Sequence, residues 1–71
     1  MHSSLITIVA NGKDYKVSQG ITLTEFVRSL ELSLDHLVVE RNRAALTPDE
    51  ARQTTLEDGD QLELVRIVAG G

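Results

Sequence analysis

The residues of this chain best suited to chemistry are two glycines, Gly70 and Gly71, which follow the strand-like run at residues 62–68. A glycine has no side chain, so it fits a narrow channel and lets another backbone approach closely. A terminal carboxylate on Gly71 is therefore suited to a nucleotide-activating enzyme, because adenylation turns this poor electrophile into an acyl group with a good leaving group. The alternative is that the two glycines are incidental, since chain ends tolerate many residues.

Length and cysteine content limit the kinds of site that the chain can build. Its 71 residues predict one domain over positions 1–71, with residues 1–4 disordered and residues 69–71 a flexible C-terminal tail. The chain has no cysteine, so it can form neither a disulfide nor a thiolate metal site. His2 and His36 are too few for a zinc site, and we interpret His36 as structural. We expect no metal and no cofactor bound by the chain itself.

Charge and hydropathy exclude two further classes of partner. The net charge is −4, with seven basic residues against eleven acidic ones, whereas nucleic-acid binding needs clustered Lys and Arg. No apolar run reaches the roughly 18 residues of a membrane helix, and no signal sequence is recognisable. We therefore expect a soluble, cytoplasmic protein that binds neither nucleic acid nor membrane. Its acidic surface suits a partner with a basic docking face.

The first half of the chain predicts a β-hairpin followed by a helix. Residues 5–9 are rich in β-branched side chains, and Asn11-Gly12 is a strong signal for a type I′ turn into a second strand at residues 15–17. Thr22 and Glu25 have the spacing of a capping box at a helix start. The helix then carries an apolar stripe, with Phe26 in the core and Arg28 and Ser29 on the opposite face: Leu23, Phe26, Val27 and Leu30.

The second half predicts short elements and then a long final strand. A third strand at residues 37–40 precedes a turn at 41–43 and a short extended segment at 44–46. Thr47 and Pro48 are typical of a helix start, for about one turn of helix that ends before residue 54. Asp58-Gly59-Asp60 is interpreted as a turn rather than a metal loop. The last strand covers residues 61–68, and its alternation slips at Leu64-Val65, which indicates a bulge or burial on both faces.

These elements predict an α+β fold of the ubiquitin-like β-grasp type. The expected architecture is a mixed sheet of four to five strands with one main helix packed on one face. The apolar density of the first and last strands favours their lying side by side and parallel at the centre of the sheet. An exposed apolar patch on the sheet is expected for partners, but the slip in the last strand leaves its residues unassigned.

Five short motifs occur in order along the chain. They are Asn11-Gly12, Gly20-x-Thr22-Leu23, Val38-Val39-Glu40-x-Asn42, Leu56-x-Asp58-Gly59-Asp60-x-Leu62-Glu63-Leu64-Val65 and Val68-Ala69-Gly70-Gly71. Taken jointly they resemble the ThiS-type sulfur carriers, small ubiquitin-like proteins of thiamine thiazole synthesis. Two departures stand out: Ala69 occupies a position where many members have a further glycine, and residues 49–53 lack an aromatic residue common in the family. The second departure bears on a core or partner contact.

The resemblance implies a sulfur-transfer cycle at Gly71. A ubiquitin-activating-type adenylyltransferase would use ATP and magnesium to adenylate the Gly71 carboxylate. A sulfur donor, such as a cysteine desulfurase or related protein, would then displace AMP and leave a thiocarboxylate for thiazole synthase. Gly70 and Ala69 would give the tail access, because a β-carbon at position 70 should clash in the enzyme's channel. The chain would be a monomeric cosubstrate and not an enzyme.

Three residues before the tail are predicted partner contacts: Arg66, Ile67 and Val68. For Ile67 and Val68 the alternative is ordinary strand burial, which we favour for at least one of them. Arg66 either binds a carboxylate of a partner or is simply solvated on the strand's other face. The sequence does not separate these two interpretations.

Several other functions fit the same tail. The small subunit of molybdopterin synthase and carriers for tRNA thiolation share the fold and the chemistry, although the molybdopterin chains are commonly longer. A ubiquitin-like modifier would join Gly71 to lysines of other proteins. A purely non-covalent β-grasp module would make no use of the diglycine. We favour the carrier over the modifier, and the modifier over the passive module.

Overall fold

The computed structural model describes residues 4–68, so the predictions for residues 1–3 and 69–71 lie outside the described residues. The carbonyl of Ser4 accepts a hydrogen bond from the Gln19 N–H at 3.0 Å. No helix in the described part of the chain is long and apolar enough to cross a membrane. In chain order the elements are β1 (Leu5–Ala10), β2 (Lys13–Ser18), α1 (Leu23–Ser29), a 3₁₀ turn (Leu34–His36), β3 (Leu37–Arg41), β4 (Ala44–Ala45), α2 (Pro48–Arg52) and β5 (Gln61–Arg66).

The five strands form one mixed sheet in the order β2-β1-β5-β3-β4. β1 and β5 run parallel beside each other, and the other neighbouring pairs are antiparallel. The buried face of α1 joins the inward side chains of the sheet in one hydrophobic core. The predicted α+β, ubiquitin-like β-grasp architecture is confirmed, including the central parallel pair.

Two hairpin turns have the backbone of type I′. Asn11 and Gly12 have φ of 51° and 79°, both positive as this turn requires, so the prediction from Asn11-Gly12 is confirmed. Asn42 and Arg43 join β3 to β4 in the same way, with φ of 51° and 71°. The sequence indicated a turn at 41–43 but not its type, because an arginine rarely occupies the left-handed region.

Both helices begin with a capping box. In α1 the Thr22 hydroxyl accepts from the Glu25 N–H at 3.1 Å, and the Glu25 carboxylate accepts from the Thr22 N–H at 3.0 Å, as predicted. Thr47 and Glu50 make the same pair of bonds at the start of α2, at 3.1 and 2.8 Å. Phe26 lies in the core, as predicted, and meets the ring of Tyr15 edge-on, with 5.2 Å between ring centroids.

The last strand differs from its prediction in two ways. β5 ends at Arg66 rather than at residue 68. Its register with β3 is continuous from Leu62 opposite Arg41 to Arg66 opposite Leu37, so both the bulge and the double-sided burial are wrong. The apparent slip arises because Val65 is an apolar residue on the solvent face, which hydropathy alone does not distinguish from a change of facing.

Helix α1 ends in a Schellman motif with an unusual residue. The Leu32 N–H donates to the Val27 carbonyl and the Glu31 N–H donates to the Arg28 carbonyl, both at 2.9 Å. Glu31 occupies the left-handed position of this motif with φ of 63°, where glycine is usual.

Replacing Glu31 with glycine is expected to stabilise the fold slightly. Relief of the left-handed strain exceeds the extra chain entropy of glycine, leaving a net gain of about 0.5 kcal/mol. Urea unfolding measures the change, with Glu31→Ala as the control that removes the side chain but keeps the strain. A glycine variant no more stable than the alanine variant would show that this position is not strained.

Candidate functional site

The predicted reactive end, Ala69-Gly70-Gly71, lies outside the described residues, and the structure describes the segment that leads to it. β5 is the central strand of the sheet, with β1 on one side and β3 on the other. Beyond the strand, the Ile67 N–H donates to the His36 carbonyl at 2.9 Å, which extends the pairing by one hydrogen bond. The segment that precedes the diglycine is thus anchored at the middle of the sheet.

Ile67 and Val68 are both exposed, so the interpretation that at least one is buried in the strand is wrong. Their exposed fractions are 55% and 83%. The register explains this result, because Arg66 pairs with Leu37 and β3 begins at Leu37. Residues beyond position 66 have no strand residue of β3 opposite them.

Arg66 lies outside the core although it is on the same face of the sheet as buried residues of β5. It falls on the same side of β5 as Leu62 and Leu64, yet it is exposed and borders an open hollow of about 430 Å³ with Glu31 and His36. Within residues 4–68, the ion pairs join other residues, so Arg66 has no carboxylate partner there. Its contact with a partner protein stays a prediction.

An exposed apolar surface adjoins this segment, and we call it the root patch: Val38, Val65, Ile67 and Val68. Val38 and Val65 face each other across β3 and β5 on the outer side of the sheet, with exposed fractions of 49% and 57%. Val38 and Ile67 also border one groove of about 230 Å³. Such patches on small proteins typically mark interaction sites. The expected patch is therefore present; the β3–β5 register assigns Val38 and Val65 to it, and Ile67 and Val68 are identified by their exposure.

The side chain of Asn11, in the turn that follows β1, binds β5 beyond the last residue of β1. β1 pairs with β5 only through Val9–Ala10 and Gln61–Leu62. Beyond them, Asn11 Oδ1 accepts from the Leu64 N–H at 2.7 Å and Asn11 Nδ2 donates to the Leu64 carbonyl at 3.0 Å. Asn11 thus satisfies both backbone groups of Leu64, which fixes the strand shortly before the root patch.

Asn11→Gly is expected to cost about 1.5 kcal/mol of unfolding free energy. Glycine keeps the positive φ at this position, so the change removes the two side-chain hydrogen bonds without adding backbone strain. Amide hydrogen exchange should show faster exchange at Leu64 than in the parent chain. Gly12→Asn, in the same turn but without these bonds, is the control and should leave the Leu64 amide protected. Unchanged protection in Asn11→Gly would contradict the proposed role of Asn11.

The turn at residues 58–60 ties the start of β5 to its neighbours. Asp58 Oδ1 accepts from the Thr7 N–H at 2.8 Å. Asp60 is buried, and its carboxylate accepts from Arg41 Nε at 3.0 Å, from Asn42 Nδ2 at 3.0 Å and from the Glu57 N–H at 2.8 Å. The interpretation of this segment as a turn is confirmed.

The protonation of Asp60 follows from these contacts. Burial raises the pKa of the Asp60 carboxyl, but the hydrogen bonds from Glu57, Arg41 and Asn42 and the Arg41 charge outweigh it. The pKa of Asp60 therefore lies below its ordinary value of 3.8. Within residues 4–68, no three His, Cys, Asp or Glu side chains come together as a group that could hold a metal ion.

Comparison with known proteins places the chain in a family. The sequence model of the ThiS family matches residues 4–71. The chain belongs to the ThiS family. The match covers all the described residues and also the predicted reactive glycines.

Individual ThiS relatives agree with this assignment. The chain is 32% identical to the sulfur carrier protein ThiS of Bacillus subtilis over 62 residues, and this match covers 86% of this chain and 94% of that protein. It superposes with a TM-score of 0.76 on the crystal structure of the thiamine biosynthesis protein (ThiS) from Geobacter metallireducens, at 28% identity, covering 93% of this chain and 100% of that one.

The chain is also similar to part of a larger protein. It is 30% identical over 61 residues to the thiazole synthase of Magnetococcus marinus, and the match covers 86% of this chain but 19% of that protein.

Proposed function

We propose that this ThiS-family chain carries sulfur on Gly71 for the synthesis of the thiamine thiazole. The observation that carries the proposal is the family match, which runs through Gly71 itself. The exposed root patch supports it, because the segment before the glycines is held by a central strand while its apolar side chains stay open to a partner.

The chemistry begins when a carboxylate oxygen of Gly71 attacks the α-phosphorus of ATP on a ubiquitin-activating-type adenylyltransferase. The bond to pyrophosphate breaks, and an acyl-adenylate forms. The terminal sulfur of a persulfide on a donor such as a cysteine desulfurase then attacks the acyl carbon, AMP leaves, and an acyl disulfide joins Gly71 to the donor's cysteine. A thiol reduces this S–S bond and ends in a disulfide with the donor's cysteine. The product is a thiocarboxylate on Gly71, and ATP and magnesium belong to the activating partner.

The sequence supports the placement of sulfur on Gly71. A carrier that held sulfur as a persulfide would need a thiol of its own, and the chain has no cysteine. The chain then acts as a cosubstrate of its partners rather than as an enzyme. Gly70 and Ala69 serve access to the activating site, and Arg66, Ile67 and Val68 contact the partner beside it.

Thiazole synthase is the proposed acceptor of the sulfur. The similarity of this chain to about a fifth of the Magnetococcus marinus thiazole synthase supports this choice, because that enzyme includes a segment related to the chain. The carrier would pass as a monomer in the cytoplasm from the adenylyltransferase to this acceptor.

The test is an intact mass of the chain after incubation with an adenylyltransferase, ATP, magnesium and a sulfur donor. Replacement of one oxygen by sulfur is the expected gain, and a proteolytic digest should place it on the peptide that contains Gly71. Enzymes of the thiazole, molybdopterin and tRNA-thiolation branches are tested side by side, and the thiazole enzyme should act best. No gain with any active enzyme would overturn the proposal, and lysine conjugates in a cell extract would then indicate a protein modifier.

A further inference from the structure

Two carboxylates oppose each other on the outer face of the sheet. Glu40 on β3 and Glu63 on β5 are directly paired in the register, two residues along each strand from the Val38–Val65 pair and on the same face, and both are exposed. Like charges in such a pair destabilise a sheet. Glu40, Glu63 and Arg43 border one shallow hollow, but within residues 4–68 neither glutamate forms an ion pair. The free chain thus keeps an unfavourable arrangement beside its root patch.

We propose that this face, formed by the Glu40–Glu63 and Val38–Val65 pairs, is the docking surface for the adenylyltransferase. The partner would place an arginine or lysine between the two carboxylates and apolar side chains on the valines. This inference rests on the proposed function and adds to it the chemistry of the partner's surface. A cation seated between the glutamates would remove their repulsion on binding.

The charge of the face favours this partner over a second copy of the chain. Two copies joined by this face would bring both glutamate pairs together, which adds repulsion to an already acidic protein of net charge −4. An adenylyltransferase must instead hold the phosphates of ATP and the carboxylate of Gly71, so its channel needs positive charge. An acidic face is suited to steer the carrier towards such a channel.

The length of the chain is compatible with docking and reaction at the same time. Gly71 is the sixth residue after Val65, and six residues of extended chain span at most about 20 Å. An enzyme that covers the two pairs can therefore have its nucleotide site within that distance of Val65.

The experiment measures ATP–pyrophosphate exchange by the thiazole-branch adenylyltransferase as the carrier concentration is varied. The double variant Glu40→Gln/Glu63→Gln should raise the KM for the carrier about tenfold with little change in kcat, because the loss is in docking. Glu57→Gln, an exposed glutamate near the opposite end of β5, makes one of the same charge changes and should stay within about twofold of the parent KM. The parent KM should also rise more steeply with salt than that of the double variant.

The unfolding stability of a further variant separates a docking role of the Glu40–Glu63 pair from a structural role. Glu63→Lys turns the repulsive pair into an attractive one, so its urea midpoint should exceed that of the parent while its KM rises at least as much as in the double variant. Exchange with a parent-like KM in the double variant would overturn the docking inference and leave the carrier function standing. Absence of exchange with the parent chain would overturn the proposed function, and the docking inference with it.

Discussion

A chain without Gly71 is expected to accept no sulfur while it folds as the parent does. Gly70 would then supply the terminal carboxylate, about 3.5 Å short of the position that the adenylyltransferase requires. Displacements far smaller than this already cost large factors in rate when a reacting group must be aligned. Intact mass after the activation reaction should show no gain from oxygen-to-sulfur exchange.

Gly70→Val tests access to the same site without changing the chain length. A branched side chain next to the reacting residue should lower the rate of adenylation at least about 100-fold, because it holds the carboxylate away from ATP. Ala69→Gly is the matched control one residue earlier, and it should react like the parent, since many family members have glycine there. The unfolding midpoint should be the same in all variants, because the buried core of residues 4–68 runs from Ile6 to Leu64 and so ends before the changed positions. A mass gain in the chain lacking Gly71 would move the site of sulfur to another residue.

Asp60→Asn is expected to lower the unfolding free energy by about 3 kcal/mol. The change removes the charge that three donors converge on, and Arg41 loses the partner that compensates its partial burial. For a domain of this size that is about a third or more of the total stability. Urea unfolding at neutral pH measures the loss. The control is Asp49→Asn, which breaks an exposed ion pair with Arg52 and should change stability by less than about 1 kcal/mol.

The same variant has a defined pH dependence. Because the pKa of Asp60 is lower in the folded chain than its ordinary value of 3.8, ionised Asp60 contributes stability above that pH. The contribution is lost as the pH falls through the lowered folded value. The difference in stability between parent and Asp60→Asn should therefore be constant near neutral pH and shrink on acidification below about 4. A difference that does not depend on pH would mean that packing, rather than the charge, stabilises this turn.

The sequence predicts those features that local chemistry determines. Asn11-Gly12 specifies a turn because few residues adopt positive φ, and Thr22 with Glu25 specifies a helix start because each satisfies a backbone group of the other. The bonds of Asn11 to Leu64 join residues 53 positions apart, and no local pattern indicates them. The same holds for Asp60 with Arg41, which become neighbours only when β3 pairs with β5.

In the candidate site, too, some features follow from the local sequence and others depend on how distant strands pair. The glycines that we propose to react are recognisable from the sequence, whereas the assignment of the exposed residues on β3 and β5 depends on register. Val65 is exposed because the strand alternation places it, with its partner Val38, on the outer face of the sheet, and Glu40 pairs with Glu63 because of the register of β3 and β5. A shift of register by one residue would turn Val65 inward, so hydropathy alone could not assign the patch.

The central position of β5 has a mechanical consequence for the proposed function, in which partners hold the chain by its end. A partner that grips the residues after Arg66 pulls along the axis of a strand bonded to β1 on one side and to β3 on the other. Such a load shears both ladders at once, instead of peeling a strand from an edge one bond at a time. The Asn11 bonds to Leu64 within β5 and the contacts of Asp60, the residue before β5, resist the same displacement. An activating enzyme that acts on the tail as proposed would therefore draw the end of this chain into its channel and release it again while the domain keeps its fold.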